Sequence, residues 1–332
     1  MMNNTLRNQC NVPPGSVITG KWNGNRYRVL KELGFGANGI VYLAELNGQF
    51  AALKLSNNGM SITSEMNILK AFSKVQGSAL GPSLLEADDW EKSGIILPFY
   101  VMEYIKGDSF LEFIKAKGPS WTGVLMLQLL TSLEVLHDQG WVFGDLKPEN
   151  LIVTTPAYKV RCIDVGGTTK QGRSIKEFTE FFDRGYWGLG SRKADQQYDL
   201  FAAALVMINA SYPKRFQKKG DGQKQIMEAV NVKAELRPYK NVIEKAITGR
   251  YQNANQMRQD IMGVLSRRSN GTVSSTRQTN KGYTKQKRQT LKNMQPQTRT
   301  QAKKKKGGFA ETFLLVMIVS LLYAIYLYGQ IM

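Results

Sequence analysis

Between Arg26 and Leu55, short β-branched and aromatic runs alternate with the turn pairs Asn38-Gly39 and Asn47-Gly48, which predicts consecutive antiparallel strands. The period then changes. Ile62, Met66 and Leu69 recur at three-to-four spacing between Ser61 and Phe72, and a longer stretch from Trp121 to His137 stops at Gly140, so both predict helices. Val160 to Ile163 reads as a short apolar strand. A mostly β part followed by a mostly helical part is expected, α+β in class. Beyond about Ser266 the chain is polar and rich in Ser, Thr, Gln and Lys, too poor in large apolar groups to fold alone. From Thr312 to Met332 no charge occurs for 21 residues, which as a helix spans about 31 Å, close to the hydrocarbon thickness of a bilayer. This end is expected to be a single-pass tail anchor, with Tyr323, Tyr326 and Tyr328 near its far interface and Lys303-Lys304-Lys305-Lys306 on the cytoplasmic side.

Composition sharpens that division. The 332 residues are 42% hydrophobic, enough for a real core, so wholesale disorder is excluded. Lys and Arg number 45 against 26 Asp and Glu, a formal +19, and thirteen of the basic residues lie between Arg267 and Lys306, where no acidic residue occurs. The excess therefore belongs to the linker, whose partners are DNA (or RNA) phosphates through counterion release, or anionic lipid. Tyr283 among Lys285, Lys287 and Arg288 fits the nucleic-acid version. Two cysteines, Cys10 and Cys162, make neither a disulfide framework nor a metal-ligand spacing, and Cys162 on its apolar strand reads as a buried inert thiol. A single histidine, His137, excludes multi-histidine metal sites and is expected to be structural, at a helix end. No apolar run resembling a signal peptide occurs from Met1 to Gly20.

Chemistry enters with Gly34-Phe35-Gly36-Ala37-Asn38-Gly39-Ile40-Val41, a G-x-G-x-x-G-x-V run in which glycines let the backbone approach phosphate oxygens. A dinucleotide-binding turn would need a helix at its third glycine. Ile40-Val41-Tyr42-Leu43 favours a strand instead, so the loop caps a hairpin. Lys54 follows at the end of the next strand, Glu65 in the next helical stretch, and Met102-Glu103-Tyr104-Ile105 ends a strand where free backbone groups could meet an adenine edge. Then come Gly144-Asp145-Leu146-Lys147-Pro148-Glu149-Asn150 and Asp164-Val165-Gly166.

This order resembles the Hanks-type (eukaryotic-like) bacterial serine/threonine protein kinases over roughly Tyr27 to Ala210, and the layout with a basic linker and membrane tail is similar to the membrane-anchored kinases of spore-forming bacilli. The resemblance implies a bilobal fold: an N-terminal extension (1–22), a small β-rich N-lobe (23–104), a helical C-lobe (105–266), a basic disordered linker (267–308) and a transmembrane helix (309–332). It implies ATP and Mg²⁺ as cofactors and protein substrates as partners. Gly34, Gly36, Gly39, Val41, Lys54, Glu65, Glu103 and Ile105 would hold the nucleotide, Asn150 and Asp164 the metal, Asp145 would act as base and Lys147 would steady the transferred group. Asp199 matches the aspartate that braces the catalytic loop. The enzyme would sit at the cell membrane with its kinase domain in the cytoplasm, and a homodimer formed on a polyanion is among the partners.

The departures are equally specific. Phe143-Gly144-Asp145 stands for H-R-D and lacks the arginine that pairs with a phosphorylated activation loop, Val165 replaces the D-F-G phenylalanine, and Gly185 to Gly190 occupies the place of A-P-E. Two other readings stay open, a small-molecule phosphotransferase of the aminoglycoside or choline kinase type and a membrane-tethered pseudokinase scaffold. Thr168, Thr169, Ser174, Thr179 and Thr276 are candidate self-modification sites.

Overall fold

The computed structural model describes residues 2–36, 38–73, 80–212 and 214–278. The linker beyond Gln278 and the tail anchor lie outside the described residues. No helix among the described residues is long and apolar enough to cross a membrane.

The N-lobe begins with a helix, α1 (Met2–Cys10), followed by β1 (Val17–Thr19), β2 (Arg26–Gly36), β3 (Gly39–Leu46), β4 (Gln49–Leu55), helix α2 (Gly59–Ser73), β5 (Leu84–Lys92) and β6 (Ile95–Glu103). The six strands form one antiparallel sheet in the order β1-β2-β3-β4-β6-β5. Asn47 and Gly48 join β3 to β4 with φ of 52° and 79°, the left-handed pair of a two-residue hairpin turn, which is why that dipeptide marks the turn. Helix α2 starts two residues earlier than its apolar spacing suggests, because Asn58 Oδ1 accepts the N–H groups of Met60 and Ser61 and caps it.

After Glu103 the chain crosses to the C-lobe: β7 (Gly107–Ser109), α3 (Phe110–Lys117), α4 (Trp121–Asp138), β8 (Trp141–Val142), β9 (Leu151–Thr154), β10 (Val160–Cys162), β11 (Thr169–Lys170), α5 (Arg184–Trp187), α6 (Gln196–Ser211), α7 (Gly222–Val232), α8 (Lys240–Ile247) and α9 (Ala254–Gln278). Helix α6 is buried on all sides from Tyr198 to Asn209 and is the centre of this lobe. Being apolar all round it shows no stripe, so periodicity does not reveal it. Helix α9 runs past Ser266, where the sequence ends the C-lobe, through Gln278.

The N-terminal segment differs from a plain extension. Leu6, Cys10 and Val12 are buried with Ile18, Tyr27 and Tyr42 in the N-lobe core. The Tyr42 hydroxyl accepts the Val12 N–H (3.0 Å) and donates to the Cys10 carbonyl (2.8 Å). Polar residues dominate α1, so two inward side chains per helix escape a search for apolar runs. Tyr42→Phe removes both bonds and leaves the Val12 N–H unpaired in the core. It should cost about 1–3 kcal/mol in thermal or urea unfolding; a loss below about 0.5 kcal/mol would mean that the segment is not docked this way in solution.

Candidate active site

Strands β2 and β3 turn through the glycine run, pairing Gly34 with Val41 and Gly36 with Gly39. Only Gly39 is needed by the fold itself: its φ is +145° and a Cβ there would lie 2.6 Å from the Leu55 carbonyl oxygen. A Cβ on Gly34 or Gly36 would meet nothing within 4 Å. Internal packing therefore does not explain those two, and approach of an outside group to their backbone does. Below the loop, Lys54 of β4 lies 2.6 Å from Glu65 of α2, both buried. Glu65 also accepts from the Tyr100 hydroxyl (2.7 Å) and from Ser61 (3.3 Å). Burial, with Glu65 adding, holds the Tyr100 hydroxyl well above its usual range, so it remains a donor.

A cavity of about 200 Å³ opens beside this pair, lined by Leu33 and Ala52 from the N-lobe, Ile152 and Ile163 from the C-lobe, and Glu103 and Ile105 from the crossing. Its shape is a slot between two apolar faces with main chain at the back. Strand pairing stops at Glu103, which frees the backbone of Tyr104 and Ile105 from the ladder. Val41 is half-buried against the core and does not line the slot; its pairing partner is Lys54. The Glu103 carboxylate is held low by the Arg161 guanidinium, which binds it at 3.0 and 2.9 Å and ties the crossing to β10.

On the C-lobe side, Asp199 of α6 is fully buried and accepts three hydrogens: from Phe143 N–H (2.7 Å), Gly144 N–H (2.9 Å) and His137 Nε2 (2.8 Å). His137 is thus structural, though its partner is this carboxylate and not a helix-end carbonyl. So braced, the loop presents Asp145, with Lys147 Nζ at 2.5 Å and Asn150 Nδ2 donating to the Asp145 carbonyl at 2.9 Å. Burial raises the Asp145 carboxyl above its ordinary value, while Lys147 pulls it down and Asp164 raises it further. Asp164 is exposed and accepts from Gly166 N–H (2.9 Å), and a Cβ on Gly166 would sit 3.6 Å from Glu65 Oε1, so this segment adjoins the N-lobe ion pair.

The oxygen set suits a hard divalent cation. Asn150 uses its amide hydrogens on Asp145, which leaves its amide oxygen available as a ligand, and its main-chain carbonyl accepts from Ile163 N–H, next to Asp164. Among the described residues no cluster of three His, Cys, Asp or Glu could hold a metal unaided, so phosphate oxygens and water would complete the shell, as Mg²⁺ prefers.

The model of the protein kinase domain matches residues 27–299. The chain belongs to the protein kinase family. It is similar to the serine/threonine-protein kinase YabT of Bacillus subtilis, 46% identical over 98% of each chain, which puts it with the Hanks-type bacterial kinases, enzymes that use ATP. It is also similar to the kinase pkn2 of Myxococcus xanthus, 31% identical over 47% of this chain and 19% of that one. A solved structure of vaccinia related kinase 3 shares the fold, with a TM-score of 0.58 and 18% identity, covering 80% of this chain and 96% of that one.

Against that family, the structure shows how this kinase manages its departures. Gly144, where the arginine is absent, has φ +83°, and a Cβ there would lie 2.6 Å from the Gly167 carbonyl oxygen; a Cβ on Gly167 would lie 2.7 Å from Asp145 Cβ. Catalytic loop and activation segment touch backbone to backbone. Val165 is buried in the main core. In place of A-P-E, the fully buried Asp183 accepts from Gly185 N–H (3.0 Å), Tyr186 N–H (2.9 Å), the Tyr198 hydroxyl (3.0 Å) and Arg192 Nε (2.8 Å). Sequence reasoning missed Asp183; an acidic residue two before a glycine is a capping signal that could have found it.

The candidate modification sites need correction. Thr168 and Thr169 are buried, with hydroxyls facing inward, because Thr169 pairs in β11 against Val142 of β8. Thr179 belongs to the site itself: its hydroxyl lies 3.3 Å from Lys147 Nζ and 3.4 Å from Asp145. Ser174 is exposed. Cys162 is buried, and burial pushes its thiol far up, as expected of an inert cysteine.

Restoring the family's arginine should harm this kinase. Gly144→Arg is expected to cost about 2–4 kcal/mol, from the left-handed backbone and the clash with Gly167, and to lower phosphoryl transfer. Gly144→Ala should show most of that loss in thermal unfolding; wild-type stability in both variants would contradict the backbone contact.

Proposed function

We propose that this kinase is anchored in the cell membrane by residues 309–332, transfers the ATP γ-phosphoryl group to protein serine and threonine hydroxyls on the cytoplasmic side, and is stimulated by DNA bound along 267–306. The Lys54–Glu65 pair, buried at 2.6 Å beside the Asp164 segment, is the observation that carries the catalytic part. Lys54 grips the α and β phosphates and Glu65 orients it. The backbone of Gly34, Gly36 and Gly39 covers the phosphates, while Glu103 and Ile105 offer main-chain groups to the adenine edge. Asn150 and Asp164 hold Mg²⁺, which when bound supplies neutralisation of the phosphate charge.

Asp145 takes the acceptor hydroxyl's proton, a role suited by the upward push that burial gives its carboxyl. Lys147, 2.5 Å from the Asp145 carboxylate, steadies the transferred group, and Thr179 keeps both side chains in register. Similarity to the serine/threonine-protein kinase YabT of Bacillus subtilis supports serine and threonine as acceptors. Support for the anchor is the charge-free run from Thr312 to Met332; support for polyanion binding is the thirteen basic residues unrelieved by any acid.

Labelled-ATP transfer by the full chain, with and without duplex DNA, tests this. Lys54→Ala should abolish transfer and Asp145→Asn should lower it by about 10²–10⁴-fold; transfer surviving in both would refute the assigned site. If about six phosphates are neutralised, DNA affinity should fall with salt on a log–log slope near −5. Deleting 267–306 should remove both binding and stimulation, whereas binding to anionic vesicles alone would assign the stretch to lipid.

A further inference from the structure

A Cβ on Gly34 or Gly36 would meet nothing within 4 Å and the pairing of β2 with β3 slips between Glu32 and Gly34, so beyond the packing of Phe35 on the N-lobe core the position of the glycine loop is set by contacts at its tip. One such contact crosses the cleft. Asn38 Nδ2, at the tip, donates to Glu177 Oε1 at 2.6 Å, joining residues 139 positions apart. Glu177 lies in the activation segment, two residues before Thr179, which itself touches Asp145 and Lys147. The stretch just before Glu177 is anchored to the C-lobe: Ser174 pairs with Lys193, and the Ile175 N–H donates to the Arg192 carbonyl at 2.9 Å.

We propose that Glu177 is a positioning residue which, through Asn38, holds the tip of the glycine loop over the transfer site, so that loop closure needs no phosphate on the activation segment.

The electrostatics support a contact maintained for a purpose. Glu177 is half-buried and faces Asp145 and Asp164 as well as Lys54; burial, with the two acids adding, raises its carboxyl. Nothing about stability favours adding a carboxylate beside Asp145 and Asp164, and its hydrogen bond with Asn38, with Lys54 adding, offsets the cost. The bond links the acceptor side of the site, through Thr179, to the phosphate side, through the loop. It lacks a counterpart in the motif set that marks the family here, since Asn38 occupies a variable position of the G-x-G-x-x-G run.

The inference rests on the glycine loop covering ATP as assigned above, and steady-state kinetics of the full chain on a serine peptide separate the two ideas. Absence of any transfer by the wild type would remove the site assignment. Given transfer, Asn38→Ala and Glu177→Ala should each raise KM for ATP about five- to tenfold with a smaller change in kcat and in KM for the peptide. The double variant should be no worse than the poorer single one, because both remove the same bond. Glu177→Gln, whose amide oxygen still accepts from Asn38, should stay within about twofold of wild type. The proposal fails if KM for ATP is unchanged or falls in the single variants, if their effects multiply in the double variant, or if Glu177→Gln behaves like Glu177→Ala. Matching melting temperatures across the set keep misfolding from imitating the effect.

Discussion

An ammonium and a carboxylate 2.6 Å apart, both nearly shut off from water, are an expensive thing to build into a small β lobe. Each ion loses several kcal/mol of hydration on burial, and a well-packed apolar pair would serve stability as well or better. The remaining groups are arranged to limit that loss: Tyr100 and Ser61 give their hydroxyl hydrogens to Glu65. Lys54 is treated differently. Among the described residues its ammonium bonds to Glu65 alone, which leaves two N–H groups for an acceptor that these residues do not provide. A cation held rigid by one carboxylate and short of acceptors is a binding site for an anion, and the glycine loop above it has unused backbone for the same anion.

The C-lobe uses one helix to aim everything that faces this cation. Consecutive residues of α6 do separate jobs: Tyr198 donates to Asp183, which organises the segment at Gly185 and Tyr186, and Asp199 holds the catalytic loop at Phe143 and Gly144. Because α6 is enclosed on all sides, neither side chain can shift without disturbing the core. N–H and O–H groups converge on the buried Asp183 and Asp199 carboxylates, the condition under which a buried charge is tolerated. Geometry at the site is therefore inherited from the most rigid element of the lobe, which is how positioning alone can carry much of a phosphoryl transfer.

What was legible in the sequence was whatever depends on neighbours along the chain. Asn47-Gly48 specifies its own turn, Ile40-Val41-Tyr42-Leu43 specifies a strand after the glycine loop, and the spacing from Lys54 to Glu65 carries the ion pair once a strand and a helix are assumed. Asp145, Lys147, Asn150 and Asp164 lie close together in sequence around short strands; in the fold Lys147 and Asn150 bond to Asp145, and Asp164 lies near enough for its charge to act there. Illegible parts have partners far away. The Asn38 amide and the Glu177 carboxylate are ordinary loop residues until the lobes meet, Arg7 of α1 stacks on Phe35 of the glycine loop at 4.9 Å, and Thr168 and Thr169 look like exposed loop hydroxyls until β11 pairs with β8.

The altered motifs form one consistent arrangement. An arginine beside the catalytic aspartate serves a kinase whose activation segment is loose until a phosphate gives that arginine something to bind, and such a switch works only through a difference in interaction between two states. Here the arginine is a glycine with left-handed backbone, and the space its side chain would need is filled by Gly167. The segment is tied down by contacts that need no phosphate: β11 against β8, Thr168 N–H on the Val165 carbonyl, and Thr179 on Asp145 and Lys147. A phosphate added to Ser174 would find no cation contributed by residue 144, so the family's bond to an arginine at that position cannot supply a population shift. The densest run of basic charge in the sequence is the stretch from Arg267 to Lys306, which is where the proposed stimulation by DNA places control.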